Sequence, residues 1–461
     1  MNLILHPTAG LRGETDVPGD KSITHRALLL GALGDGPSRI TGYLDGGDCR
    51  ATMACLQALG VPIDVTENGR CPQRRDLIAV VQGVGLRGLQ EPEEPLNCVR
   101  SGTSMRLLAG LLAGQPFYSV LTGEAQLRRR PMDRVVLPLR QMGGAGCARI
   151  WGRQDGRLPP LSILGGGLQG CEHILPVASA QVKSCILLAG LYAEGVTRVV
   201  EPGPSRDHTE RMLRGRGIAL TTEGLTHTLS GPADSLAALD TTVPGDFSSA
   251  AYLIVAGLLV PDSEICIRNV GINPTRTGLL DVLTQMGGAG CASIVAENER
   301  DEGGEPVADL VVRAGELVAT DVGGEVVPRM IDEFPILALA ATQAQGTTRV
   351  RDAAELRVKE SDRITAIVEG LRALGAQIEA RPDGFDIHGP TTLQGADAVP
   401  HRGDHRLAMT WAVAGLIAHG ETIVHDADCI ADSFPGFVPR LSALTGASTG
   451  SVVVSGTEVA S

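Results

Sequence analysis

Gln141-Met-Gly-Gly-Ala-Gly-Cys-Ala148 occurs twice in this chain, the second time at Gln285–Ala292. A perfect octapeptide repeat signals internal duplication, and repeats decide an architecture before any single element does. Weaker relatives of the stretch follow one recipe. An amphipathic helix ends in Leu-x-x-[LMR] plus a glycine, and a strand begins. The terminating glycines are Gly60, Gly143, Gly217, Gly287, Gly375 and Gly446, spaced 83, 74, 70, 88 and 71 residues apart. Glycine there suits a left-handed residue just past a helix end.

A second series interleaves with the first. Six apolar helices are expected around Ala27-Leu-Leu-Leu-Gly31, Leu107-Leu-Ala-Gly-Leu-Leu112, Ile186-Leu-Leu-Ala-Gly-Leu191, Tyr252-Leu-Ile-Val-Ala-Gly-Leu258, Ile336-Leu-Ala-Leu-Ala340 and Trp411-Ala-Val-Ala-Gly-Leu-Ile417. They are apolar nearly all round, which predicts burial. Short β-branched strands such as Thr197-Arg-Val-Val200 follow them. The unit therefore reads helix, strand, helix, two strands, and it recurs six times. This is an α/β chain of two domains, three units each, with sheets outside buried helices. Asp16-Val-Pro-Gly-Asp20 and Thr241-Thr-Val-Pro-Gly-Asp246 read as paired crossings between the domains. They predict one lobe over residues 20–244 and another from 1–19 plus 245–461, with a ligand cleft between them.

The 461 residues allow a large core, and 43% hydrophobic with 20% charged residues is ordinary for a globular protein. The net charge of −13 weighs against a nucleic-acid partner, and 3% aromatics offer few stacking platforms. Ten cysteines without a C-x-x-C pair fit reduced thiols in a cytoplasm. No signal peptide is expected from Met1–Gly10, and Ala250–Val260, the longest apolar run, is too short to span a bilayer.

The amino ends of the six apolar helices carry the chemistry. Gly19-Asp-Lys-Ser-Ile-Thr-His-Arg-Ala27 opens the first, with Asp20 or Ser22 as cap and Ser22 and Arg26 on one face. Lys21 sits at the positive end of the helix dipole, where a cation is unfavourable unless an anion joins it. Ser101-Gly102-Thr103 with Arg106, Ser179-Ala180-Gln181 with Lys183, Gly245-Asp246 with Ser248, Asp332-Glu333, and Asp404-His405-Arg406 start the others. Arg130 stands before Pro131, read as a helix start. In Arg357-Val-Lys-Glu-Ser-Asp-Arg363, Lys359 and Arg363 are four apart and read as one helix face, with Glu360 between the cations. Caps alone serve ordinary stability, and ion-pair ladders on a surface contribute little. Cations repeatedly beside the caps, with acids among them, favour a poly-anion site capable of acid–base work. Gly13…Gly19-Asp-Lys-Ser22 misses the phosphate-loop spacing by one residue, and Gly403 disfavours a metal-binding helix through His401 and His405.

Together, Pro18-Gly-Asp-Lys-Ser-Ile-Thr-His-Arg-Ala27, Ser101-Gly-Thr-Ser-Met-Arg106, Leu121-Thr-Gly-Glu124, Arg130-Pro131, Ser179-Ala-Gln-Val-Lys183 and Arg357-Val-Lys-Glu-Ser-Asp-Arg363 resemble the 5-enolpyruvylshikimate-3-phosphate synthase family. Asp404-His-Arg-Leu-Ala-Met409 and Ser433-Phe-Pro435 extend the likeness along the whole chain, and Ser205-Arg-Asp-His-Thr209 is similar to the class II branch. The resemblance implies an inside-out α/β barrel of two threefold domains, the enolpyruvyl transferase fold. It implies transfer of the enolpyruvyl group of phosphoenolpyruvate to the 5-hydroxyl of shikimate 3-phosphate, releasing phosphate, without cofactor or metal. Partners would be those small anions, with no nucleic acid or membrane, and a monomeric, cytoplasmic enzyme. By resemblance, Lys21, Ser22, Arg26, Ser179, Ala180, Gln181, Ser205, Arg206, Asp332 and Lys359 hold shikimate 3-phosphate. Lys21, Gly102, Arg130, Gln181, Arg363 and Arg406 hold phosphoenolpyruvate. The catalytic set is Asp332 as base for the 5-hydroxyl, Glu360 as acid at the methylene carbon, and Lys21. Arg100, Glu355 and Asp432 depart from the Asn, Asn and Lys usual in the family. The sister enzyme acting on UDP-N-acetylglucosamine begins its first motif Lys-Asn, unlike Lys21-Ser22. A decayed, non-catalytic relative would not be expected to keep Lys21, Asp332 and Glu360.

Overall fold

The computed structural model describes residues 1–67, 77–143, 148–288, 292–446 and 452–455; the central residues of both octapeptide copies, 144–147 and 289–291, lie outside these. Six helices form the interior: Lys21–Ala32, Gly102–Ala113, Ala180–Gly190, Phe247–Leu259, Phe334–Gln343 and His405–Gly415. The fourth is buried without interruption from Phe247 to Leu258. A helix apolar on every side gains only by complete enclosure, about 1.5–3 kcal/mol for each fully buried leucine. Small residues allow that enclosure to be tight. A Cβ at Gly110 would fall 2.2 Å from the carbonyl oxygen of Cys185, so the second and third buried helices meet backbone to backbone.

The amphipathic helices are Gly47–Ala58, Asp133–Gly143, His208–Gly215, Gly278–Gly287, Arg363–Ala373 and Phe437–Leu444. Gly60, Gly217, Gly375 and Gly446 follow four of them with φ of +85°, +86°, +86° and +68°, as their place in the repeat demands. Gly143 and Gly287 differ from expectation. Each is the last residue of its helix, and after the latter Gly288 takes the positive φ of +48°. At the second copy the doubled glycine Gly287-Gly288 lets the helix run one residue further before it turns at Gly288.

Each repeat closes as a small sheet, and five of the six sheets have four strands where three were expected. The added strand is short, parallel, and lies just before a buried helix. Leu96–Asn97 beside Tyr118–Thr122 and Asp321–Val322 beside Gly346–Val350 are examples. Two of these strands are exchanged. Arg12–Asp16, ahead of the first buried helix, pairs with Glu264–Gly271 of the fourth repeat; Thr241–Thr242, ahead of the fourth, pairs with Pro37–Thr41 of the first. In the sixth repeat Asn2–Leu5 lies antiparallel between Thr422–Val424 and Val452–Ser455, so the first strand of the chain completes the last sheet.

The chain divides into two units. One is Gly19–Val243 with Glu302–Glu305, and the other is Met1–Pro18 with Pro244–Asp301 and Pro306–Ser461. They are called the N-terminal and C-terminal units below. Among the described residues no helix is long and apolar enough to cross a membrane.

Candidate active site

Side-chain oxygens cap the buried helices as their sequences require. Asp20 accepts from the N–H of Ile23 at 2.8 Å, Ser101 from Ser104 at 3.1 Å, Asp246 from Ser248 at 3.2 Å and Asp404 from Arg406 at 3.0 Å. A cap satisfies one otherwise orphaned donor and contributes about 1 kcal/mol. It also fixes where the next residues project, and those are the candidate ligands.

In the N-terminal unit Lys21 opens the first buried helix with its Nζ 3.2 Å from Oδ2 of Asp48. The carboxylate offsets the cation at a positive helix end. Arg26, one turn on, is buried and bonded through each of its three guanidinium nitrogens. Its Nη1 donates to the carbonyl of Ser22 at 2.9 Å, Nη2 to the Ser184 hydroxyl at 2.7 Å and Nε to Thr209 at 2.6 Å. Burial holds its pKa down to about 10, and Glu210 is the largest influence opposing that fall. Ser184 in turn donates to the carbonyl of Ala180 at 2.6 Å, which links the start of the third buried helix to the first. Gln181 donates to Thr103 at 2.9 Å and accepts from Arg106, whose other guanidinium nitrogen donates to the carbonyl of Pro131 at 3.1 Å. Arg130 lies against the second helix start, since a Cβ on Gly102 would be 2.9 Å from its Nη1 and 3.3 Å from Nη1 of Arg106. Pro131 does not start a helix here; the helix begins at Asp133, and Arg130 is extended at the end of the 3-10 turn Leu127–Arg129.

Ser205 lies deeper than a helix-end ligand would. Its hydroxyl donates to the buried carboxylate of Glu201. Arg106 and Thr103 had no assigned role in the sequence reading. Arg106 reads there as one of the cations beside the helix caps, and only the fold turns it onto Gln181.

Beneath Lys21 a chain of hydrogen bonds ties three helices. His25 Nδ1 lies 2.8 Å from the Thr52 hydroxyl, Thr52 lies 2.6 Å from Ser104, and Ser104 donates to Ser101 at 2.7 Å. Burial lowers the His25 pKa to about 3, with Asp48 pulling the other way. The unfolded chain takes up that proton near pH 6.5. Between there and about pH 3 the unfolded state carries more protons, so this group destabilises the fold by ~1.4 kcal/mol for each unit of acidification. We expect His25→Asn to remove that slope, read by urea unfolding from about pH 6.5 down to 4.5. Equal slopes in both proteins would place the proton uptake elsewhere.

The C-terminal unit gathers its candidates around one guanidinium. Arg363 is 1% exposed; its Nε donates to Asp404 Oδ2 at 2.8 Å, Nη2 to Glu360 Oε2 at 2.7 Å and Nη1 to Asp332 Oδ1 at 3.5 Å. Arg406 Nη2 is 3.7 Å from the other oxygen of Asp332. Burial disfavours the charge on Arg363, but Asp404, Glu360 and Asp332 outweigh it and raise the pKa above that of free arginine. Burial also pushes Asp404 up; Arg363 and His405 more than reverse this and leave it below the usual carboxylate range. The fork geometry of arginine makes such three-way pairing possible, as a lysine would not.

Lys359 departs from expectation. It does not share a helix face with Arg363. The 3-10 helix Ala354–Val358 ends before it, and Asp362 caps a new helix that begins at Arg363. Lys359 Nζ instead lies 3.2 Å from Oε1 of Glu355, one of the residues that depart from the family pattern. Arg100, another departure, pairs with Glu124 at 3.2 Å on the surface.

Two units of three repeats, with capped buried helices presenting cations and paired acids, define the enolpyruvyl transferase class of fold. The enolpyruvyl transferase NikO from Streptomyces tendae shares it, with a TM-score of 0.76 at 19% identity over 96% of this chain and 97% of its own. A solved EPSP synthase from Acinetobacter baumannii matches more closely, with a TM-score of 0.85 and 40% identity over 99% of this chain and 100% of that one. The family model for EPSP synthase (3-phosphoshikimate 1-carboxyvinyltransferase) matches residues 5–441, and this chain belongs to that family. The 3-phosphoshikimate 1-carboxyvinyltransferase of Citrifermentans bemidjiense is 53% identical over 440 residues, 95% of this chain and 98% of the relative. That of Desulfitobacterium hafniense is 51% identical over 434 residues, 94% of this chain and 95% of its own. The chain is thus an enzyme of the transferase class.

Proposed function

We propose that this chain transfers the enolpyruvyl group of phosphoenolpyruvate to the 5-hydroxyl of shikimate 3-phosphate, as its family membership indicates. Lys21, Ser22, Arg26, Ser179, Ala180, Gln181, Ser205 and Arg206 of the N-terminal unit, with Asp332 and Lys359, take the phosphorylated acceptor. Lys21, Gly102, Arg130, Gln181, Arg363 and Arg406 take phosphoenolpyruvate. Asp332 removes the proton of the 5-hydroxyl as its oxygen bonds to C2 of phosphoenolpyruvate. Glu360 gives a proton to the methylene carbon, which forms a tetrahedral intermediate. Loss of a methyl proton and cleavage of the C2–O bond then release phosphate. We place the enzyme as a cytoplasmic monomer acting on small anions, without a cofactor, a metal, a nucleic acid or a membrane.

The observation that carries this reading is the sharing of Arg363 between Glu360 at 2.7 Å and Asp332 at 3.5 Å. It supplies two carboxylates on one cation, the arrangement a base and an acid working on adjacent atoms of an anion need. Arg106 fits as a further grip on Gln181. Phosphate release is expected with shikimate 3-phosphate as acceptor and not with UDP-N-acetylglucosamine. Turnover with the sugar nucleotide alone would overturn the assignment.

Gly102 gives a finer check. Its missing Cβ leaves room for the Arg130 guanidinium, whose far end can yield by a few tenths of an ångström. Gly102→Ala therefore folds normally. It should raise KM for phosphoenolpyruvate about 10-fold, because small displacements of a positioning cation are costly, and leave KM for shikimate 3-phosphate nearly unchanged. A shift confined to the second substrate would reverse the assignment of Arg130.

A further inference from the structure

Behind the helix starts of the N-terminal unit lies a charged cluster that the reaction as described does not use. Lys183 stands on the third buried helix, Glu201 follows the strand Gly195–Val200, Glu210 is on the helix His208–Gly215 and His227 is on the strand Thr226–Gly231. The Lys183, Glu201 and Glu210 side chains are each 1% exposed. The ammonium donates to Glu201 Oε2 at 2.7 Å and lies 2.7 Å from Glu210 Oε1. His227 Nε2 is 3.0 Å from Glu201 Oε2, and its Nδ1 is 3.6 Å from Glu210.

Enclosing four ionisable groups costs several kcal/mol per ion before their attraction is counted, and an apolar filling would be as stable. Stability therefore does not account for the cluster; what it touches does. Lys183 Nζ is 3.5 Å from the backbone carbonyl of Ser205, and the Ser205 hydroxyl donates to Glu201. Glu210 and Thr209 are consecutive, and Thr209 accepts from Arg26 Nε at 2.6 Å. The cluster thus grips the 201–210 segment from its buried side. The same segment carries Ser205, Arg206 and the Arg26–Thr209 contact.

Glu201, Glu210 and His227 could by spacing hold a metal ion, their ligand atoms lying within 4.8 Å of one another. Lys183 already sits at 2.7 Å from both carboxylates and supplies the positive charge.

We propose that Lys183 is a positioning residue for shikimate 3-phosphate: a built-in cation that, through Glu201 and Glu210, fixes the 201–210 segment and with it Ser205, Arg206 and Arg26. The proposal rests on the assignment of those three residues to the acceptor phosphate. Outer partners of this kind typically change affinity 10- to 100-fold.

Lys183→Met alone would leave two buried carboxylates uncompensated, so two charge-balanced variants are the probes. Lys183→Met/Glu210→Gln removes the cation with one of its carboxylates and leaves Glu201 to His227 at 3.0 Å, and the isosteric Glu201→Gln removes one cation–carboxylate link while Lys183 keeps Glu210. Both are first confirmed folded by their thermal midpoints. Expected is a rise of about 10-fold or more in KM for shikimate 3-phosphate, with kcat and KM for phosphoenolpyruvate each within about threefold of the parent. A purely structural role would lower kcat and disturb both substrates alike, or change nothing, and either result overturns the proposal. Arg26→Ala is measured alongside. If it raises KM for shikimate 3-phosphate and the cluster variants do not, the positioning role fails and the site assignment stands. If Arg26→Ala has no effect on that substrate, the site assignment itself fails.

Discussion

Arg363→Met is expected to destabilise the C-terminal unit by about 3–5 kcal/mol and to abolish measurable turnover. The guanidinium is buried, and so is Asp404, its closest partner by the Nε contact of 2.8 Å. Removing the cation leaves Asp404 with its helix-cap hydrogen bond from Arg406 N–H and the Ser361 hydroxyl at 3.4 Å, and a buried carboxylate without a counter-charge is among the most costly single defects. Glu360 and Asp332, at 29% and 18% exposure, can recover hydration and contribute less to the loss. The double variant Arg363→Met/Asp404→Asn should restore most of the stability, because it removes both charges together, and still show no turnover. Arg363→Lys should fall between the two in stability, since a point charge can meet one carboxylate and not three. Calorimetry reads the unfolding, and phosphate release reads the rate. Normal stability in the single variant would mean that Asp404 finds another cation, and normal turnover would remove Arg363 from the site.

That dependence on one residue shows what a sequence can and cannot disclose. The six buried helices were legible because their faces are all apolar, as in Tyr252–Leu258, and no other placement removes such surface from water. The repeat length was legible from glycine, although the helices run through Gly143 and Gly287 and do not end before them. The exchanged strands were not legible. Thr241–Thr242 is two residues long, and the pairing of Asn2–Leu5 with Thr422–Val424 joins the two ends of the chain, leaving no local pattern to read. In the candidate site, the charge-dense stretch Arg357–Arg363 holds the residue that pairs with Asp332, Glu360 and Asp404. Spacing was a poor guide. The i,i+4 rule placed Lys359 beside Arg363, and the break at Ser361–Asp362 sent it to Glu355. Lys183 shows the same limit. A lysine in the first turn of a helix reads as an anion ligand, and only the fold reveals the two carboxylates, Glu201 after a strand and Glu210 on a helix, already beside it.

Glu360→Gln and Asp332→Asn should each lower kcat by ~100-fold or more while the fold loses under about 1 kcal/mol, the usual contrast for a proton-transfer group that is not a structural one. Glutamine keeps the shape of Glu360 and an oxygen for Arg363 Nη2, now at 2.7 Å from the carboxylate, so positioning survives and proton transfer does not. Glu360→Gln leaves Asp332 its contacts to Arg363 at 3.5 Å and to Arg406 at 3.7 Å, so the base stays placed. Deuterium uptake into the methylene group of phosphoenolpyruvate in heavy water should drop in parallel with turnover, because that carbon receives the proton Glu360 supplies. Near-normal rates in both variants would remove these acids from the chemistry.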